Sequence, residues 1–283
     1  MCFYALTLSP ALNNQPLDSN LSITRPNYKD SLYCIISDAN NNTDFLLAIL
    51  GTDERSNEKS RSDVIILLKY KSTENKAIVV SIPRDSKVLI PNKGLNKINA
   101  AAAFGGAKLQ VDVLENLFKI SNVRYIHLNF EGFKEIIDSI GGIEINAQND
   151  FKRDWGEKDT FAKKGRNILL GDDLLDYVRF RHDEEGDFGR IKRQQEVIFS
   201  LASSALNPAN ITKLPEIALI IAKNSESDMD IFFIMRHIEK IKRLHSLEFE
   251  FYTLKTSSEK SNGIWYEIID EENLKLISDL LQE

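Results

Sequence analysis

The sequence predicts an α/β protein: a single domain with a central mixed β-sheet flanked by helices. Three observations predict it. The unbroken apolar runs 45–50, 64–68 and 77–82 are rich in branched residues and lack polar alternation, the pattern of strands buried on both faces. Strand-like and amphipathic helical segments then alternate, as in a layered α/β domain. After Asp44 there is neither an internal repeat nor a domain-sized linker, so the 283 residues, ample for a real core, read as one domain over 44–283.

Residues 1–43, rich in Asn, Ser, Asp and Pro, read as a loosely structured lead-in with a short element near 31–37 and a turn, DANNNTD, at its end. KSTENK (71–76) is short enough for a hairpin turn between the second and third runs. Strand one then ends at Gly51, strand two begins at Asp63, and strand three runs back to Pro83. All three ends meet at one sheet edge, which places Asp53, Arg61, Asp63 and Arg84 there. Two carboxylates among arginines suit a hard divalent cation holding a phosphate; a salt-bridge cluster capping the sheet accounts for them equally.

The segment 96–103, NKINAAAA, predicts a short helix stopped by Gly105-Gly106. A second helix over 108–118 has Val111, Leu114, Leu117 and Phe118 on one face. A strand over 125–130 and a helix over 133–139 come next, with Gly141-Gly142 as the stop and a strand at 143–145. Residues 149–168 are polar and read as a long surface excursion. Helices are expected over 169–180, 190–205, 214–223, 231–244 and 271–281, with a strand over 248–254. Residues 207–283 read as packing.

The richest chemistry lies in DYVRFRHDEEGDFGRIKRQQ (176–195). Arg179 and Arg181 are two apart, so extended backbone sends both to one side. Arg190, Arg193 and Gln194 share a helix face at i, i+3 and i+4. Arginine matches phosphate oxygens in two-pronged geometry, which points to a bound phosphate. A solvated charged face is the competing account, because five Lys/Arg in 179–193 are nearly balanced by four Asp/Glu. Asp187 suits either catalysis or the N-terminus of the following helix.

The net charge is 36 − 42 = −6, with pI near 5.4. A general nucleic-acid binder needs a basic footprint, so no nucleic acid is expected, and arginines clustered in an acidic chain point to a small local anion. Cys2 and Cys34 give no zinc pattern; they are two ordinary thiols or a single bridge. The four histidines lack HExxH-like spacing. No run of about 20 apolar residues is present to span a bilayer.

Taken in order, LGTDER (50–55), RSD (61–63), SIPRDS (81–86), NKINAAAAFGG (96–106), NFEGFKEIIDSIGGIEI (129–145) and LLGDDLLDYVRFR…DFGRIKRQQ (169–195) resemble the LytR–CpsA–Psr family of cell-envelope phosphotransferases. The resemblance covers roughly 44–206. It implies transfer of a glycopolymer, such as a teichoic acid or capsular polysaccharide, from a polyprenyl-pyrophosphate lipid to the C6 hydroxyl of N-acetylmuramic acid in peptidoglycan, leaving polyprenyl phosphate. It implies Mg2+, or Mn2+, organised by Asp53 and Asp63. Arg61, Arg84, Arg179, Arg181, Arg190 and Gln194 would grip the pyrophosphate, with Arg84, Arg190 and Asp187 catalytic. Lys97 and Asn99 match the KIN segment near the pocket.

An apolar core able to take the lipid is also implied, its expected walls the helices at 98–118 and 133–140; ordinary packing accounts for the same faces. Family members carry an N-terminal membrane span, with the catalytic domain on the outer face of the cytoplasmic membrane and the lipid surface as a partner. Residues 1–43 are accordingly expected to be the remnant after a missing membrane anchor. A polyprenyl-pyrophosphate hydrolase, as side activity or main function, and a non-catalytic lipid-binding or regulatory module are the alternatives.

Overall fold

The computed structural model describes residues 44–53, 61–153, 160–181, 186–205, 207, 210, 212–229 and 247–283, the side chains of residues 187, 188 and 205 excepted. The three apolar runs form β1 (Phe45–Thr52), β2 (Ser62–Lys71) and β3 (Lys76–Ser81). The β2–β3 turn closes at Asn75, whose φ of 51° suits asparagine. A hairpin comes next, β4 (Lys87–Ile90) and β5 (Gly94–Lys97), then α1 (Ala100–Phe118). The chain continues through β6 (Val123–Asn129), α2 (Phe130–Ile140), β7 (Ile143–Ala147), β8 (Phe151–Lys152), β9 (Thr160–Ala162) and β10 (Gly165–Leu169). The helices α3 (Gly171–Arg179), α4 (Gly186–Ala205) and α5 (Leu214–Asn224) lead to β11 (Ser225–Ser227), β12 (Glu248–Thr253), β13 (Thr256–Ser261), β14 (Ile264–Ile269) and α6 (Glu271–Gln282).

The central sheet has the order β11-β6-β1-β2-β3-β12. It is mixed: β1 pairs antiparallel with β2 and parallel with β6, while β3 pairs antiparallel with β2 and parallel with β12. Strand alternation divides the apolar residues between two faces. On one, Leu50, Ile65, Leu67, Ile78 and Val80 join α1 and α6 in a core that includes Leu114, Phe118, Ile277 and Leu281. On the other side a second core joins α2, α3 and α4 to the β7–β10 segment, around Ile137, Ile143, Leu174 and Tyr177. The fold class is the predicted one, a mixed sheet between helices.

Three expectations need correction. Residues 94–97 pair with β4 instead of opening a helix, so α1 starts at Ala100; its break at Gly105 and Gly106 (φ 74°, ψ −172°) still divides it where the two glycines were expected to. The 149–168 segment is more than a surface excursion. β10 pairs with β7, and Phe151 and Ala162 are buried in the second core. The stretch after 207 includes a hairpin, β13–β14, closed by Asn262-Gly263 (φ 49° and 82°), a two-residue turn whose signal stands in the sequence before the run IWYEII. The helix expected over 231–244 and the lead-in 1–43 lie outside the described residues.

Candidate active site

The C-terminal ends of β1, β3, β6 and β12 and the start of β2 meet at one edge of the sheet, as the parallel and antiparallel pairings require. Asp53 comes directly after β1. Asp63 owes its position to an irregularity. Gly51 pairs with Val64 but Thr52 pairs with Ser62, so Asp63 is the extra residue of a β-bulge. Regular alternation would send Asp63 to the α1 side with Ile65. Ser62 takes that side instead, its Oγ donating to Gln110 Oε1 of α1 at 2.7 Å, and Asp63 faces the same cavity as Val64. A bulge re-aims a side chain in this way at functional edges.

A cavity of about 290 Å³ opens at this edge. Arg84, two residues beyond Ile82, lines it and pairs with Asp63. Arg84 Nε also lies 3.7 Å from Asp85, whose other oxygen takes Lys97 Nζ at 2.8 Å. Arg179, Arg181, Arg190 and Gln194 complete the polar wall. Helix α3 ends at Arg179 and the backbone turns extended at Phe180 (φ −60°, ψ 137°), so the arginines two apart reach one cavity while Phe180 packs on the second core. The Arg179 guanidinium lies 4.9 Å from the Phe130 ring centroid and donates to Asp53 Oδ2 at 3.3 Å.

Arg190 is only 3 % exposed. Gln194 donates to Val178 O at 3.4 Å. Four arginines against one lining carboxylate give a cationic pocket within an acidic protein, and guanidinium forks in such a place are matched to phosphate oxygens. Arg61 stands exposed just before β2, outside the cavity's lining, and Asn99 is buried at the start of α1, its N–H on Arg84 O at 3.2 Å. Asp187 falls in the first turn of α4, with its side chain outside the described residues.

Two residues behind the wall carry roles that sequence spacing did not separate from Arg190 and Gln194. Arg193 turns away from the cavity. Its guanidinium lies 5.5, 5.6 and 5.9 Å from the ring centroids of Phe151, Phe180 and Tyr177, and it donates to Phe180 O at 2.6 Å. Gln195 Nε2 donates to Ser81 Oγ and Thr253 Oγ1, both at 3.1 Å, and to Tyr252 O at 3.3 Å, tying α4 to the ends of β3 and β12. Helical spacing predicts Arg193 on the face of Arg190 and Gln194, but the rings of the second core hold its guanidinium away from the cavity, and no spacing rule singles out Gln195.

Next to the polar cavity lies an apolar one of about 320 Å³, between the sheet and helices α2, α3 and α4. Ile66 and Leu68 of β2, Phe133 of α2, Leu175 of α3 and Leu201 of α4 are among its walls. The two cavities share Val64, Phe130, Val178 and Gln194 as lining, so they lie side by side against the same side chains. The expected wall from α2 is present. The expected wall from 98–118 is not, because α1 packs on the opposite face of the sheet.

Asp53 and Asp63 offer hard carboxylate oxygens beside the arginine wall. Among the described residues no group of three or more His, Cys, Asp or Glu stands together to cage an ion. Two carboxylates with the remaining positions left to water and phosphate oxygens is the donor set magnesium takes at phosphate-transfer sites, so the residues fit Mg2+.

The LytR_cpsA_psr family model matches residues 13–283. The chain belongs to that family. A polyisoprenyl-teichoic acid–peptidoglycan teichoic acid transferase, TagU of Oceanobacillus iheyensis, is 34 % identical over 243 residues, 82 % of this chain and 73 % of its own length. Regulatory protein MsrR of Staphylococcus aureus is 38 % identical over 177 residues, 62 % of this chain and 53 % of its own length. A solved structure of TagT bound to LI-WTA superposes with a TM-score of 0.72 at 25 % identity, over 84 % of this chain and 89 % of that one.

Proposed function

We propose that this LytR_cpsA_psr family member is a phosphotransferase that moves a glycopolymer from a polyprenyl-pyrophosphate carrier to the C6 hydroxyl of N-acetylmuramic acid in peptidoglycan. The observation that carries the reading is a cationic cavity directly adjoining an apolar one: a diphosphate head and a hydrocarbon tail need those two environments side by side. The transferase name of a relative 34 % identical supports it. The acceptor oxygen attacks the phosphorus that bears the sugar, and a phosphodiester forms. The bond from that phosphorus to the bridging oxygen breaks, and polyprenyl phosphate leaves.

Phosphoryl transfer asks the protein for position and charge neutralisation. Arg84, Arg179, Arg181 and Arg190 supply fixed positive charge around the diphosphate, and Gln194 sits where head meets tail. Mg2+ held by Asp53 and Asp63 would add charge neutralisation at the phosphate oxygens. Asp187 is assigned the acceptor's proton, and Arg61, Lys97 and Asn99 support the rim. The catalytic domain would work at the outer face of the cytoplasmic membrane.

The test is release of polyprenyl phosphate from a short lipid-pyrophosphate glycan with a peptidoglycan fragment as acceptor, with and without Mg2+. We expect joined product, reduced about 100-fold or more in Arg84→Ala and Asp63→Ala, the scale of losing one fixed charge partner in a water-poor site. Release of phosphate without joined product would make the protein a hydrolase. Lipid binding without turnover would make it a non-catalytic module, the reading that the regulatory name of MsrR favours.

A further inference from the structure

The β4–β5 hairpin leaves the pocket wall at Arg84 and returns to it at Asn99. Ile98 N–H bonds to Ser86 O at 2.8 Å and Asn99 N–H to Arg84 O at 3.2 Å, so its base is clamped to a residue that lines the cationic cavity. Its inner face is ordinary: Val88 and Ile90 are buried in the first core. Its outer face is not. Leu89 and Leu95 stand directly opposite each other across the two strands, 68 % and 62 % exposed. The solvent face of a hairpin over a core is normally polar, and a cross-strand leucine pair is a patch, not a scattered residue.

Charge marks the same surface. Residues 86–111 hold Lys87, Lys93, Lys97 and Lys108 and no acidic residue, within a chain of net charge −6. Lys97 pairs with Asp85 and Lys108 with Asp112. Lys87 and Lys93 face rings instead, 5.2 Å from the centroids of Tyr266 and Phe104, and form no ion pair with a described carboxylate. Phe104, on α1 beneath Lys93 of the hairpin turn, is itself 39 % exposed. Exposed apolar side chains flanked by two lysines without a described carboxylate partner are the composition of a surface that sits in the interface of an anionic bilayer.

We propose that the outer face of the β4–β5 hairpin seats on an anionic lipid surface and holds the cationic pocket at the height where a lipid-borne diphosphate emerges. Leu89 is five residues from Arg84, roughly 17 Å at most along extended backbone. A leucine seated in a headgroup layer about 5–7 Å deep therefore keeps the pocket within about 10 Å of that layer's outer edge. The orienting purpose rests on the lipid-linked donor of the proposed function; the membrane contact itself does not.

The full chain is mixed with vesicles of phosphatidylglycerol and phosphatidylethanolamine, or of phosphatidylcholine alone, and floated. Wild type is expected with the anionic vesicles. The double variants Leu89→Ser/Leu95→Ser and Lys87→Gln/Lys93→Gln should each lower partitioning, the second by about fivefold per lysine, with thermal midpoints unchanged. In the transferase assay, turnover of donor embedded in those vesicles should fall in the same proportion, and turnover of a short-chain, water-soluble donor should not. Equal partitioning of wild type and variants overturns the proposal whatever the activity. Loss in the lysine variant alone, with release by a soluble polyanion, overturns it in favour of an anionic polymer site. Hairpin-dependent partitioning without turnover of either donor upholds the membrane contact while removing the transferase reading.

Discussion

Arg193 shows how one side chain can govern a site it does not touch. Arg193 is 7 % exposed, its guanidinium sits among Phe151, Tyr177 and Phe180, and its Nη2 donates to Phe180 O. Phe180 is the residue between Arg179 and Arg181, so the tether fixes the backbone from which both project into the cavity. A lysine keeps the charge but has no planar group that can stack on the rings and donate to the carbonyl at once. Arg193→Lys is expected to destabilise the fold by about 2 kcal/mol, in the range of a disrupted buried charge contact, and to raise KM for the lipid-diphosphate donor roughly tenfold with kcat retained. Steady-state kinetics well below the unfolding temperature read this. A stability loss with an unchanged KM would confine Arg193 to the core.

At the level of elements, the site depends on how closely α2 and α3 approach. Gly171 opens α3 against Lys134 of α2, where a Cβ would stand 2.7 Å from Lys134 Cα and 2.8 Å from its carbonyl oxygen. Backbone cannot give way as a flexible side-chain tip does. Gly171 N–H also bonds to Asp138 Oδ1 at 2.8 Å, fixing the start of α3 on α2. Arg179 ends α3, and Phe130, the ring it covers, begins α2. Gly171→Ala should therefore cost about 1–3 kcal/mol by overpacking. It should also weaken donor binding, because the two helices that place Arg179 on Phe130 must separate. Urea unfolding together with a binding titration checks both halves. An alanine tolerated with the wild-type midpoint would mean that α2 and α3 yield at no cost.

Over the whole molecule, legibility followed the range of the interaction. The edge that gathers Asp53, Asp63 and Arg84 could be read because continuous apolar runs and a short turn fix where strand ends fall. The pairing of Arg179 with Arg181 could be read because one extended residue sets their direction. The bulge at Asp63, the cage around Arg193 and the β7–β10 pairing could not: each is decided by a partner distant in sequence, and none has a local signature. The same long-range burial sets the response to pH. Burial first, and then neighbouring carboxylates, push the hydroxyls of Tyr70, Tyr125 and Tyr177 above the ordinary tyrosine value of 10.0, and Tyr252 behaves alike with its bond to Glu250. Hydrogen bonds to Glu250, Asp112 and Glu131 likewise raise Lys76, Lys108 and Lys134. In each case the folded state holds a proton that the unfolded chain releases near pH 10 to 10.5, so this stabilisation is complete below that range and is lost above it. Lys69 opposes the trend: burial lowers its value, and stability gains as pH rises from there toward 10.5. Among the described residues the buried phenols and these lysines oppose the single lowered lysine, and the urea midpoint is expected to fall as pH climbs from about 10 to 11. Tyr177, 1 % exposed and donating to Glu196 Oε2 at 2.8 Å, is the most enclosed of the four phenols. Tyr177→Phe should lower stability by about 1 kcal/mol at pH 8 through the lost hydrogen bond. It should also flatten the alkaline slope by up to about 1.4 kcal/mol per pH unit, the share of one proton. Wild-type and variant curves that stay parallel from pH 8 to 11 would show that the Tyr177 proton is not among those the folded state retains.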